Sequence, residues 1–359
     1  MANFFSLLAE RKLPAVVIRF LIDSYTRQVT HVQWNTARSS AIPMLNGVKQ
    51  GGVLSPILFC VYMDELLSRL EKSGLGCYIG KQFLGGFGYA DDLKLLCPSV
   101  GGLQKMINIC EDFGREFDVM FNAKKTLGIC YGNNSTCNIR SVYLNGVSIK
   151  WEESVKYLGN ILSCNLSDAA DICFKKGSFI TAVNKFNYVF KGIDAFTKIK
   201  LLQTYCTAWY GCQSWQLGTN DSKVMDIEWR KAVRRTLGLP ARTRSMLLPG
   251  LAGSRPFCRQ HYDRIHKFLN SMLRSKNRTV KYIATRAQTN TLGTMGKNFV
   301  YLKVMPKSDQ ADSDKQSLID ARISQINELI RLRDGSDQVD ILDQDDLQEI
   351  LVYLCTDAL

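Results

Sequence analysis

GGFGYADDLKLL (residues 85–96) sets two aspartates, Asp91 and Asp92, side by side within an apolar run. Phe87, Tyr89, Leu93 and Leu95 occupy alternating positions around them, so the stretch reads as strand, tight turn, strand. Adjacent carboxylates repel, and burial would raise the cost of ionising both. A divalent cation between them would reverse that charge logic. An exposed turn would also accommodate them, since Asp favours turns for its own reasons. If the turn joins two sheet strands, a rigid frame aims both carboxylates at one point.

The rest of the chain bears on that choice. It has 359 residues, 46% of them hydrophobic and 22% charged, which allows a sizeable core in one large domain or two to three smaller ones. The formal net charge of +13 is unevenly spread: Ser308 to Leu359 holds 13 acidic and 4 basic residues, leaving a body of net +22. A body so basic favours an anionic partner, nucleic acid first. The 12 cysteines are scattered, with no CxxC pair, and read as reduced intracellular thiols. Cys258, His261 and His266 lack a partner pair at zinc-finger spacing. GVLSPILFCVYM is apolar but too short to span a bilayer, and no signal peptide opens the chain.

Periodicity predicts two helices over 3–31 meeting at Pro14 and a strand in HVQW (31–34). NGVKQGG (46–52) reads as a glycine-rich loop before a helix from Ser55 to about Leu70, with Ser55 as cap and Pro56 in the first turn. A further helix is expected from about Gly101 to Phe117, then short strands through 119–132. Asn145-Gly146 predicts a hairpin, and 155–162 a further strand. From Asp168 the pattern turns helical. Strands first and helices later imply an α+β unit followed by a helical one.

KQGGVLSPILF begins 42 residues ahead of Asp91, joining a glycine-rich turn to a helix start, whose free N–H groups suit phosphate. With that spacing the set resembles the reverse transcriptase domain of non-LTR (LINE-type) retrotransposons. NGVKQGGVLSPILFCVYMDEL resembles motif B of that family and GYADDLKLL motif C. FNAKKT (121–126) resembles motif D, and VKYLGNIL (155–162) motif E, the primer grip. The four occur in order over roughly residues 1–165.

The resemblance implies a partial polymerase palm, a ferredoxin-like antiparallel sheet backed by helices, over 1–165. A helical thumb (166–250) would follow, and beyond it charge and pattern alone read as a basic helical extension (251–307) and an acidic helical tail (308–359). The resemblance also implies template-directed addition of deoxynucleotides to a DNA primer on an RNA template, through two Mg2+ ions. Asp91 would be the principal ligand at the turn, with Asp92 assisting. Gln50, Gly51 and Tyr89 would line the nucleotide site, small residues permitting close backbone approach. Lys125 would neutralise or protonate the leaving pyrophosphate, or is a surface lysine. Tyr157, Leu158 and Gly159 would hold the primer end. The resemblance places the protein inside the cell, in nucleus or cytoplasm.

One feature of the family's pattern is not found. A further carboxylate, in a KAFD-like motif A segment, should precede the helices at 3–31. The only acids ahead of Gln50 are Glu10 and Asp23, and neither matches. The segment by itself is therefore expected to be impaired or inactive, as a truncated copy or a misplaced start would leave it. A non-catalytic nucleic-acid-binding remnant and a product with no stable fold are the competing expectations.

Met225, Trp229, Val233 and Leu237 recur every four residues, while Arg230, Lys231, Arg234 and Arg235 lie off that line. The basic residues suit phosphate contact along a duplex, or a solvated helix face. Trp209, Trp215 and Trp229 are expected in the core rather than stacked on bases. Ile319, Ile323, Ile326 and Ile330 are expected to pack on the body rather than form a coiled coil.

Overall fold

A computed structural model describes residues 2–44, 51–132, 139–304, 313–334, 351–352 and 354–356. The chain divides into two compact units: Met1–Cys130 with Asn134–Glu152, and Tyr131–Asn133 with Glu153–Leu359. Among the described residues no helix is long and apolar enough to cross a membrane.

The first unit opens with α1 (Ala2–Glu10) and α2 (Ala15–Thr26), split at Pro14 as expected. Four two-residue strands follow: β1 (Val29–Thr30), β2 (Gln33–Trp34), β3 (Ala37–Arg38) and β4 (Ile42–Pro43), paired β1 with β4 and β2 with β3. Helix α3 (Ser55–Lys72) has Leu54, not Ser55, at its N-cap, without a side-chain cap. Ser55 is instead the first helical residue and is buried. Pro56 still sits in the first turn, where its missing N–H costs nothing.

Strands β5 (Tyr78–Ile79), β6 (Gln82–Phe83), β7 (Gly86–Tyr89) and β8 (Asp92–Leu95) form two antiparallel hairpins. Backbone bonds from Cys77 to Leu96 (3.0 Å) and from Leu96 to Gly85 (2.8 Å) stitch them together. Helix α4 (Val100–Phe117) starts at Ser99, whose hydroxyl accepts from the Gly102 N–H, and ends at Asp118 in the left-handed region. Beyond it lie β9 (Leu127–Gly128), β10 (Tyr143–Leu144), β11 (Val147–Ser148) and β12 (Lys150–Trp151). The β10–β11 hairpin turns at Asn145 (φ 50°) and Gly146 (φ 75°), the mirror-image turn that Asn-Gly selects.

Among the described residues the strands form separate two-stranded ladders rather than one ferredoxin-like sheet. The fold is mixed helix and strand, with helices supplying the framework. The core of this unit lies where α3 meets α4: Met63, Leu66 and Leu70 against Met106, Cys110, Phe113 and Phe117. Arg69 staples the two helices, bonding Glu65 (2.8 Å) on its own helix and Glu116 (2.6 and 3.1 Å) on α4. Its guanidinium also lies over the Phe113 and Phe117 rings, 5.7 and 5.3 Å from their centroids.

The second unit opens on a hairpin of two four-residue strands, β13 (Ser154–Tyr157) and β14 (Asn160–Ser163), which the sequence assigns to the end of a first domain, 1–165. Helices follow: α5 (Ala169–Val189), α6 (Ala195–Cys206), α7 (Asn220–Leu237), α8 (Leu248–Ala252), α9 (Phe257–Leu273), α10 (Arg278–Thr289), α11 (Thr294–Val304) and α12 (Ser313–Asp334). Helix α7 carries the expected stop at Gly238. Trp209, Trp215 and Trp229 are buried in the core between α5, α6, α7 and α9.

Helix α12 packs on this core through Ile326 and Ile330, both fully buried, with Ile319 and Ile323 beside them. Its last turn reaches two helix ends. Arg333 donates to the Leu237 and Gly238 carbonyls at 3.0 and 3.2 Å, satisfying the C-terminus of α7. The Asp334 carboxylate accepts from the Ala195 N–H at 2.7 Å, at the N-terminus of α6.

Candidate active site

The aspartate pair sits on the β7–β8 hairpin. Tyr89 pairs with Asp92, leaving Ala90 and Asp91 as a two-residue loop. Ala90 takes φ 51°, in the left-handed region, which lets so short a loop close. Leu93 and Leu95 pack against the α3–α4 core, so strand alternation turns Asp92 and Lys94 to the other face. Leu67 of α3 lies over Gly86 and Gly88, pinning β7 to the helix. Asp91 and Asp92 are both exposed, at the tip of a hairpin whose base is fixed. Burial holds the neighbouring Lys94 ammonium below its usual range.

The other expected residues of the first unit are distributed around this frame. Tyr89 is 65% exposed and stands beside Asp92 in register. Gly51 (φ 79°) is exposed, in the turn that leads into α3. Gln50 lies outside the described residues. The start of α3 exposes apolar side chains, Val53, Leu54 and Ile57. Lys125 is exposed in the Asn122–Thr126 turn, its backbone N–H bonded to the Asn122 carbonyl at 3.1 Å. Among the described residues no group of three or more His, Cys, Asp or Glu side chains could hold a metal ion.

In the second unit, Tyr157 pairs with Asn160 and the turn between them is Leu158 (φ 46°) and Gly159 (φ 77°). All three expected primer-grip residues are partly buried. Helix α5 holds this hairpin at two points. The Asp171 carboxylate accepts from the Ile161 N–H at 2.9 Å and from the Trp215 indole at 2.7 Å. Lys175 donates to the Gly159 carbonyl at 2.7 Å, and its ammonium lies 5.1 Å from the centre of the Tyr210 ring. Sequence reading missed Asp171 and Lys175. Their spacing of four residues puts them on one helix face, but nothing local shows that this face meets a hairpin.

The basic residues of α7 all have partners within the chain. Arg230 pairs with the buried Asp226 at 2.5 Å and Lys231 with Glu228 at 2.9 Å. Arg234 donates to the Thr243 carbonyl at 2.6 and 3.1 Å and to the Ser245 hydroxyl, and Arg235 donates to Asn184 at 2.5 Å. Burial lowers the pKa of Arg234 from its usual range. Its guanidinium fixes the loop after α7, while Arg230, Lys231 and Arg235 retain exposed surface.

Residues 2–162 match the reverse transcriptase (RNA-dependent DNA polymerase) family. The RNA-directed DNA polymerase from mobile element jockey of Drosophila melanogaster is 24% identical over 286 residues, which cover 74% of this chain and 31% of that protein. The Pol polyprotein from the type-2 retrotransposable element R2DM of the same species is 30% identical over 166 residues, 44% of this chain and 16% of the relative. The probable RNA-directed DNA polymerase from transposon X-element is 25% identical over 233 residues, 61% of this chain and 24% of the relative. The chain thus spans about a third or less of the length of these curated relatives. The jockey match is longer than the family segment itself, so the similarity extends into the helical unit. Residues 2–162 of this chain thus match the reverse transcriptase (RNA-dependent DNA polymerase) family, and the relatives beside that match are named as RNA-directed DNA polymerases or a Pol polyprotein of mobile elements.

Proposed function

We propose that this chain contributes the nucleotide-adding centre and the primer-end contacts of an RNA-directed DNA polymerase. The observation that carries the reading is the exposed pair Asp91–Asp92 at the tip of a two-residue hairpin whose β8 strand is anchored in the core through Leu93 and Leu95. The donor chemistry fits magnesium, which takes hard oxygen ligands, needs only one or two carboxylates from the protein and completes its shell with water and substrate phosphates. When bound with the nucleotide, such ions supply the positive charge that phosphoryl transfer requires.

The chain's own residues position the reactants. Asp91 and Asp92 present carboxylate oxygens, Tyr89 beside them offers a ring to the nucleotide, and Gly51 admits close approach of the backbone. Gln50 belongs to the same proposed nucleotide contact, and Lys125 is proposed to meet the leaving pyrophosphate. Tyr157, Leu158 and Gly159 are proposed to hold the primer end. Arg230, Lys231 and Arg235 are proposed to contact phosphates, and Arg234 to act on nucleic acid only through the loop it orders. RNA template, DNA primer and deoxynucleotides are the partners this assigns.

Primer extension by the purified chain on an RNA template with Mg2+ tests the reading. Extension that is abolished in Asp91→Ala supports it. Salt-sensitive binding of primer–template without extension selects a non-catalytic nucleic-acid-binding role instead.

A further inference from the structure

The loop carbonyl of Gly159 lies outside the β13–β14 pairing, which ends at Tyr157 and Asn160. A turn carbonyl of this kind ordinarily bonds to water, and the tip can then rock about its two-residue loop. Here Lys175 takes it at 2.7 Å. The same lysine rests on the Tyr210 ring, and a Cβ built on Gly159 would come within 3.2 Å of that ring's edge. One turn earlier on α5, Asp171 takes the Ile161 N–H. Two groups on one helix face therefore hold the hairpin two residues apart, one at the strand and one at the tip.

We propose that Lys175 is a positioning residue for the primer end, tying the Gly159 carbonyl to helix α5 and the Tyr210 ring so that the Leu158–Gly159 turn keeps one orientation. The proposal rests on the assignment of Tyr157–Gly159 to the primer end. The strand is already secured by its ladder and by Asp171, so the lysine adds little to folding. What it adds is orientation at the tip: a charge-assisted bond is short and directional, and the ring beneath the ammonium limits its rotamers.

The full chain is tested with a DNA primer annealed to an RNA template, carrying 2-aminopurine at the primer 3′ end, and with a blunt duplex of equal length. Wild-type protein is expected to prefer the recessed end and to change the fluorescence of the terminal base. Lys175→Ala is expected to reduce that preference about tenfold and abolish the fluorescence change, with a fall in melting temperature no larger than the loss of one hydrogen bond produces. Lys175→Arg should restore part of both, since it keeps the donor and the charge. Tyr210→Leu, which removes the platform, should shift the preference in the same direction and serves if Lys175→Ala does not fold.

Retention of the preference and the fluorescence change in Lys175→Ala overturns the proposal. So does a parallel loss of affinity for both duplexes together with the melting temperature, which marks a merely structural lysine. A fall of about one in the salt slope overturns it too, since that marks a direct phosphate contact. A signal lost in Tyr157→Ala but kept in Lys175→Ala leaves the primer-end assignment standing and removes only the role of Lys175. Wild-type protein that gives no terminal signal overturns the assignment itself and the proposal with it.

Discussion

The Asp171 carboxylate accepts a hydrogen bond from the Trp215 indole N–H at 2.7 Å, and both side chains are buried. Its second oxygen takes the Ile161 N–H at 2.9 Å. One side chain thereby joins the first helix of the second unit to its hairpin and to its tryptophan core. Asp171→Asn leaves only one acceptor oxygen and aims an NH2 at a donor. The variant should lose about 2 kcal/mol of stability, the cost of one unsatisfied buried group, in a urea melt followed by tryptophan fluorescence. Faster hydrogen exchange at the Ile161 amide should accompany it. Unchanged stability and exchange would show that the contact carries no weight.

His261 sets an acid limit on the same unit. It is buried, its Nε2–H donates to the Cys212 carbonyl at 2.8 Å, and burial lowers its pKa to about 4. The unfolded chain binds the proton near pH 6.5, so the folded state holds fewer protons between that value and about 4. Stability is therefore complete above pH 6.5 and falls as the pH drops towards 4, by roughly 3 kcal/mol at most. His261→Gln keeps a donor without the titration. A urea series from pH 7 to 4 should show a flatter profile in this variant, whatever its stability at neutral pH.

Arg69 and Glu116 make the corresponding link in the first unit. The Glu116 carboxyl is held below its usual range, chiefly by its hydrogen bond to the Arg69 guanidinium. A carboxyl with a depressed pKa contributes stability above its unfolded pKa and loses it as the pH falls through the folded one. Glu116 is largely exposed, so the contribution is small, about 0.5–1 kcal/mol. Arg69→Lys forfeits the two-bond contact with Glu116 and should lose about that much, with the gap closing in high salt. Urea titrations at low and high salt measure both.

Ala90 tests the strain in the turn that carries the aspartates. At φ 51° a Cβ is tolerated but a branched one is not. Ala90→Gly should be close to neutral, because the relief of strain offsets the added freedom of the unfolded chain. Ala90→Val should cost about 1 kcal/mol or more in a thermal melt. Equal stability of the two variants would mean that the turn does not hold the stated geometry.

Much of the local structure was legible. Pro14 split the first helical stretch because its ring fixes φ and removes an N–H, while Asn145-Gly146 formed the mirror-image hairpin turn and Gly238 ended α7 because these residues accept positive φ. The position of Asp91 and Asp92 at a hairpin tip was readable from the alternation of apolar residues on either side. The structure places Leu54 rather than Ser55 at the N-cap of α3, because capping depends on where the preceding turn delivers the chain. The separate two-stranded ladders were also beyond the sequence, since strand pairing beyond a hairpin is set by contacts between distant segments.

What the sequence determined by itself is the set of local turns, helix ends and motifs, and with them the family match over residues 2–162. Tertiary structure alone decided which charged side chains are committed within the fold: Arg234 to the Thr243 carbonyl, Arg333 to the end of α7, Asp171 and Lys175 to the β13–β14 hairpin. The reason is physical. A turn or a cap is fixed by the backbone preferences of a few adjacent residues. The partner of a long charged side chain is fixed only when folding brings a distant carbonyl or amide within 3 Å of it.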